Sequence, residues 1–534
     1  MGGWEVRKML KMGVRLTKKM PVADLILKNA NVVTIDPRCP AAELVAIKDN
    51  RILLVAGNEE LEQVGGAKSK IIDCQGKTVV PGFNDAHCHI FSFIRKLRSL
   101  DLSPSSVSSI AEIKAAIRRR VQSLPPGSWL TGTDYNEFYL AEKRHPNRWD
   151  LDEAAPHQPV VLAHRSLHAC VLNSLALSLA GITRETLEPP GAIIDRDLDS
   201  GEPSGLLFEM LGYIREKVLP PLSEEELAEG IAWANQHYLS MGITSLQEAS
   251  VTNDLARWQT LQRFKQGGKL NSRVSMMLGV EALSRFQEAG LASGSGDSQL
   301  RLGGVKIVLN ETAGQLQPPQ PELNRQAVDV HRAGFQLAIH CIEPSTVEAA
   351  IAALEYIGGQ SPLAGRRHRL EHCSECPPRL LERLAGLEAM VVTQPPFLYY
   401  SGERYLATLP PNRQRWLYRI KSLLDAGLMV AASSDSPVVP DNPLVGIYAA
   451  VTRQAESGQQ LLPKECISAS QALAMYTTSA AYTSFEEDIK GSIAEGKLAD
   501  MVVLSADPLK SPPEQIKDIR VEMTIIDGKV VWEV

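Results

Sequence analysis

The feature that most constrains this chain is an eightfold alternation of short apolar runs with helical patterns. The apolar runs are Thr78–Asp85, Ile243–Glu248, Arg273–Val280, Gly304–Leu309, Phe335–His340, His368–His372, Ala389–Gln394 and Leu428–Ser433. Runs of this length read as strands buried on both faces, because they are apolar throughout rather than at alternate positions. Segments such as Leu255–Phe264, Thr346–Tyr356, Pro378–Leu384 and Trp416–Ala426 lie between them with helical periodicity. Eight such units predict an α/β protein built on a (β/α)8 barrel. The count treats residues 95–235 as an insertion after the first strand. Two further runs inside it, Trp129–Gly132 and Pro159–His164, are strands either of a cap over the barrel mouth or of the barrel itself.

The chain has 534 residues, more than the roughly 250 of a typical barrel. Short strands fill residues 21–80: Leu25–Leu27, Val32–Ile35, Leu44–Ile47, Ile52–Val55 and Ile71–Asp73. The same texture returns at Asp500–Leu504, at Glu522–Ile526 and, after the turn signal Asp527-Gly528, at Lys529–Trp532. Two β pieces at opposite ends most simply form one sheet domain closed by both termini. Residues 1–20 carry six basic side chains and no uninterrupted apolar stretch. They read as a frayed tail or an over-long start with Met20 as the initiator, not as a secretory signal.

Composition excludes several classes. Hydrophobic residues at 44% and charged residues at 22% argue against a disordered chain. The net charge of −6 offers no basic field for nucleic acid. No run of about 18 apolar residues predicts a membrane span. Eight cysteines in this length are not a disulfide scaffold, and the lone Cys373-x-x-Cys376 lacks a second pair for structural zinc. The reading is a soluble cytoplasmic protein with reduced thiols.

In a barrel the chemistry collects at the C-terminal ends of the strands. The first strand runs into His87-Cys88-His89, which places two imidazoles on one side of an extended segment, a bite suited to zinc or a similar metal. The fourth carries Lys306 inside an apolar run. Burial lowers a lysine's pKa and makes the amine nucleophilic, ready to add carbon dioxide. The fifth ends in His340, the sixth in Glu371-His372, and Asp435 follows the eighth. Each alone has an ordinary explanation. A strand-end histidine is usually a packed rim residue, Lys306 has Glu311 as a possible partner, and Asp435 before Ser436-Pro437 reads as a helix cap. Jointly, four histidines, a lysine and an aspartate at the strand ends of one barrel supply ligands for one or two metal ions.

The chain resembles the amidohydrolase superfamily, and more narrowly its YtcJ-like branch, amidohydrolase family 3. The marks are PGFNDAHCH at 81–89, NSLAL at 173–177, GEPSGLLFE at 201–209, GITSLQE at 242–248, RLEH at 369–372, TQPPF at 393–397, SSDSPV at 433–438 and GSIAEGKLADMVVLSADP at 491–508. The resemblance implies a composite β-sandwich over residues 21–78 and 485–534, and a barrel over residues 79–484 with an insertion at about 95–235. It implies a divalent metal, zinc first, held by His87, His89, Lys306, His340, His372 and Asp435, with Lys306 carboxylated in many members. Asp435 is then the proton carrier, and His168 of the insertion faces the substrate. Two departures, Asn310-Glu311 after the lysine strand and Glu343-Pro344 after His340, make Glu311 and Glu343 further candidates for a ligand or a substrate contact.

The implied enzyme is a hydrolase in which metal-activated water attacks a carbonyl, Asp435 serves as base and then acid, and His340 or His168 steadies the oxyanion. The scissile bond is a non-peptide C–N bond of a small molecule, in an amide, formamide or cyclic amide. An esterase or lactonase on the same centre, or an inactive metal-binding regulator, are the competing readings. No nucleic-acid or membrane partner is expected. A homodimer is compatible with such barrels. Arg369 reads as the partner of acids inside the barrel, with contact to a substrate carboxylate as the lesser alternative.

Overall fold

The computed structural model describes residues 20–312 and 314–534, so the proposed start region before Met20 lies outside the described residues. The chain opens with β1 (Leu25–Lys28), β2 (Asn31–Val33), β3 (Ala41–Ala42), β4 (Leu44–Lys48), β5 (Arg51–Ala56), β6 (Lys70–Asp73) and β7 (Thr78–Pro81). The order β5-β4-β1-β6 makes one four-stranded sheet.

The expected first barrel strand, Thr78–Asp85, is in fact two strands. β7 stays with the terminal sheets, and β8 (Phe83–Cys88) enters the barrel. Gly82 is the joint. A Cβ there would lie 2.1 Å from Thr244 Oγ1, so only glycine allows the chain to cross this close to the next barrel strand.

The insertion forms a sheet of its own. Its strands are β9 (Leu100–Asp101), β10 (Leu130–Tyr135), β11 (Val160–His164), β12 (Ala169–Leu172), β13 (Ile193–Arg196) and β14 (Pro203–Phe208), ordered β13-β14-β12-β11-β10-β9. The two strands expected at 129–132 and 159–164 are therefore no part of the barrel. The sheet has apolar clusters on both faces, one around Leu102, Ile113 and Leu162 and one around Leu172, Leu177 and Ile214.

The barrel continues with β15 (Ile243–Glu248), β16 (Arg273–Gly279) and β17 (Leu300–Val308). After the small hairpin β18 (Asn310–Thr312) and β19 (Gln315–Gln317) come β20 (Leu337–Cys341), β21 (Arg369–His372), β22 (Met390–Thr393) and β23 (Met429–Ala432). With β8 these make an eight-stranded parallel sheet in the order β23-β22-β21-β20-β17-β16-β15-β8. The seam between β23 and β8 is drawn together just past the strand ends. Asp435 N donates to His87 O at 2.8 Å, and His89 N donates to Ser436 O at 2.8 Å. Helices pack outside, as expected, although the segment expected as Trp416–Ala426 is helical only over Ile420–Asp425. Among the described residues no helix is long and apolar enough to cross a membrane.

The chain ends with β24 (Met501–Leu504), β25 (Val521–Ile526) and β26 (Lys529–Glu533), which join the N-terminal strands in a six-stranded sheet, β26-β25-β24-β7-β2-β3. Both termini thus build one β unit. It is tied to the barrel by Arg273 of β16, which is buried and donates to Asp500 at 2.6 and 2.9 Å and to Asp527 at 2.6 Å. A bidentate guanidinium–carboxylate pair out of water couples the two bodies through directional bonds.

Candidate metal centre

At the C-terminal end of the barrel the six residues singled out from the sequence come together around one cleft. His87, His89, Lys306, His340, His372 and Asp435 all line it. One donor atom each from His87, His89 and Asp435 lies within 4.8 Å of the other two. The rings of His87 and His89 are 5.3 Å apart, those of His87 and His372 5.0 Å, and those of His340 and His372 4.5 Å.

The surroundings leave these side chains in forms that could bind a metal. His87 Nδ1 donates to Glu371, which leaves Nε2 with a lone pair facing the cleft, 3.1 Å from Lys306 Nζ and 3.5 Å from Asp435 Oδ1. His372 Nδ1 donates to Gln394 Oε1 at 2.7 Å, so its Nε2 is also free. His89 is held at Nδ1 by Ser250 Oγ, 2.9 Å, and its Nε2 stands 3.0 Å from Asp435 Oδ1. A ring nitrogen fixed by a partner behind it is the usual arrangement of a metal-binding histidine.

Electrostatics point the same way. Burial, then the nearby Lys306 charge, holds the His87 imidazole well below its ordinary pKa. Burial, then His372, does the same for His340, and burial lowers His372. All three are therefore neutral, the form that binds a metal. Burial would raise the Asp435 carboxyl, but its contacts with the histidines, the His89 hydrogen bond first, outweigh it and hold its pKa low. Burial lowers Lys306 despite Glu371 and Asp435, which favours the neutral amine. The donor set of imidazoles, one carboxylate and one amine fits a divalent ion such as zinc.

Asp435 and His372 both hold left-handed backbone, with φ of 59° and 70°. For residues with a Cβ this costs about 1–2 kcal/mol each, and such strain collects where geometry serves a site. The helix that a capping role for Asp435 would need does not form. The next helix starts at Pro443, capped by Asn442, so Asp435 is aimed at the cleft instead of capping.

His168, on the turn between β11 and β12, also lines the cleft, its ring 6.0 Å from that of His340. Its Nδ1 donates to Glu209 at 2.9 Å. Burial would lower it, but Glu209 outweighs this and raises its pKa. Glu209 also accepts from Asn310 Nδ2 at 3.2 Å, so one of the departing residues braces this pair. Of the other candidates, Glu311 bonds Ser345 rather than Lys306. Glu343 lines a second lobe of the cleft and is raised by burial. Arg369 is fully buried and bonded to Glu371, Gln247 Oε1 and Ala86 O, which makes it a strut of the barrel interior. All eight cysteines are free.

Sequence reasoning named Glu371 without giving it a role and did not single out Gln394, Ser250 or Glu209. Glu371, Gln394 and Glu209 stand inside RLEH, TQPPF and GEPSGLLFE, so the motifs contain them. Ser250 lies outside every such motif, and only folding reveals its partner.

Comparison with known proteins adds likeness over nearly the whole chain. A sequence profile described as the amidohydrolase family matches residues 70–532. The chain is 30% identical over 537 residues to the N-substituted formamide deformylase of Arthrobacter pascens, covering 96% of this chain and 98% of that one. It is 30% identical over 516 residues to the putative amidohydrolase YtcJ of Bacillus subtilis (strain 168), covering 92% and 96%. Among solved structures, an uncharacterized metal-dependent hydrolase from Pyrococcus furiosus aligns with a TM-score of 0.70 and 26% identity, over 91% of this chain and 100% of that one.

Proposed function

The chain belongs to the amidohydrolase family, and on that premise we propose that it is a metal-dependent hydrolase cleaving a non-peptide C–N bond of a small molecule. The bond is that of an amide, formamide or cyclic amide. The observation that carries this is the convergence of His87, His89 and Asp435, with donor atoms within 4.8 Å, beside Lys306, His340 and His372. The similarity to a formamide deformylase supports the formamide as the first bond to try.

His87, His89, His340, His372, Lys306 and Asp435 are the residues that would hold one or two divalent ions, zinc in our reading. When bound, such an ion lowers the pKa of water and polarises a carbonyl. The other roles fall to the chain itself. Asp435, ionised at neutral pH, accepts a proton on a carboxylate oxygen and returns it to the leaving amine. His168, oriented by its Nδ1 bond to Glu209, offers its other ring nitrogen as a hydrogen-bond donor toward the carbonyl oxygen as charge develops there, with His340 beside it. The inserted segment carries His168 to the cleft. Burial lowers the Lys306 pKa and so eases loss of its proton, and the free amine is the form that adds carbon dioxide to become a carbamate, a further anionic ligand.

The test is a panel of N-formyl, N-acyl and ester compounds with metal-loaded protein and Asp435→Asn. Hydrolysis of a formamide or amide is expected, with kcat falling about 10²–10⁴-fold in the variant. Cleavage of esters alone would move the assignment to an esterase or lactonase. Stoichiometric metal with no hydrolysis of any compound would favour a binding protein. Native mass should show an added CO2 that is lost in Lys306→Ala.

A further inference from the structure

One lobe of the cleft carries three guanidiniums from three separate elements. Arg95 comes from the helix Ile90–Arg98, Arg215 from the π-helical turn Ile214–Val218, and Arg257 from the helix Leu255–Gln266. Phe91, Leu211 and Val251 give the same lobe an apolar wall beside these arginines and the candidate metal-binding residues.

Among the described residues, none of the three has a carboxylate oxygen within 4.0 Å, the limit for an ion pair. The nearby acids are engaged elsewhere. Arg98 takes Glu226 and Glu229, Arg263 takes Glu224, and His168 takes Glu209. Glu216 lies on the same lobe, is exposed, and pairs with none of them. The arginines' own side-chain bonds are few. Arg215 donates to Ser92 Oγ at 3.4 Å. Arg257 donates to Thr252 and, at 3.5 Å, to Asn253 Oδ1, and stacks 5.2 Å from the Phe91 ring.

Of the arginines fully buried elsewhere, Arg273 and Arg369 are each neutralised by a carboxylate, and Arg453 spends its guanidinium on the carbonyls of Leu417, Tyr418 and Leu461. A guanidinium has five donors and binds oxyanions through two of them at once. Three half-buried cations that repel one another, with most donors unspent, are costly in the absence of an anion. Burial, then Arg95 and Arg257, pushes Arg215 down to about 10. A π-helical turn is itself uncommon and recurs at functional positions.

We propose that this lobe binds an anionic oxygen group, carboxylate or phosphate, on the substrate arm remote from the scissile C–N bond. Arg215 and Arg257 clamp the anion and Arg95 adds charge behind them. This rests on the hydrolase reading above. It narrows the substrate class to N-acyl or N-formyl compounds with an apolar spacer ending in an anion.

The test is a binding measurement, independent of turnover. Metal-loaded protein is titrated calorimetrically with three series of increasing chain length: alkane dicarboxylates, ω-phosphonocarboxylates and the monoamides of the dicarboxylates. All three share one carboxylate end and differ only at the other. At one length the doubly anionic compound should bind about tenfold or more tightly than its monoamide, as expected for a charged hydrogen-bonded pair. Whether carboxylate or phosphonate wins identifies the natural group. The ratio should collapse toward one in the Arg215→Met, Arg257→Met double variant, with metal content and the unfolding midpoint confirming an intact fold, and Arg215→Lys should keep part of it. No anion preference at any length, or a preference that survives the double variant, overturns the subsite. Formamide hydrolysis, scored separately, reports on the hydrolase reading alone.

Discussion

Glu371 sits behind His87 and decides which ring nitrogen faces the cleft. Glu371→Gln keeps the shape but weakens the acceptor, so the imidazole loses its fixed tautomer. Metal affinity is expected to fall about 10–100-fold, measured by competition with a chelator. Unchanged affinity would show that Glu371 serves only Arg369. A second prediction concerns His368, at the foot of β21. Its Nδ1 accepts from Leu337 N at 2.9 Å and its Nε2 donates to His331 Nδ1 at 2.9 Å, so neither nitrogen has room for a further proton. Burial, then His331, pushes it down to about 3. The unfolded chain, with an ordinary pKa near about 6.5, therefore binds more protons between these values. Stability is full above about pH 6.5 and falls toward pH 3, by up to about 1.4 kcal/mol per pH unit from this residue. His368→Gln, which keeps a donor and an acceptor, should flatten the acid limb of a denaturant-midpoint profile. Identical slopes would remove His368 from the account.

At the scale of elements, the barrel was legible because strands covered on both faces are apolar throughout. The chain's eight runs stand out for that reason. The boundary of the first was not legible, since the apolar run crosses Pro81-Gly82 without a change of texture while the backbone passes from one sheet to another. The residues of the candidate metal centre could be picked out because they sit at strand ends, a place set by topology. Their supports were not, because Ser250 and Gln394 meet His89 and His372 only once loops from other strands fold over. The arginine lobe is farther from view still: residues 95, 215 and 257 share no local pattern. The Gly82 joint gives a direct test. Gly82→Ala brings a Cβ against the Thr244 side chain and should destabilise by about 1–3 kcal/mol, read as a lower urea midpoint, with Thr244→Ala recovering part of the loss. No loss would mean that the two strands can part without cost.

At the scale of the whole molecule, three bodies share the work. The barrel carries the candidate metal-binding residues, the inserted sheet brings His168 and Glu209 to the cleft, and the terminal sheets anchor the barrel through Arg273, Asp500 and Asp527. Arg273→Met leaves two carboxylates facing each other in a largely buried site and should cost about 3–5 kcal/mol. A denaturation profile that splits into two transitions would show that this tie also couples the bodies. The central claim is that the barrel's ring of histidines with Asp435 is a catalytic metal centre. The measurement that tests it most directly is formamide hydrolysis by chelator-stripped protein as a divalent metal is titrated back, with bound metal counted per chain. A rate that rises in proportion to bound metal, and that stays near zero in the stripped protein, is the predicted result. Full activity in stripped protein would contradict the account.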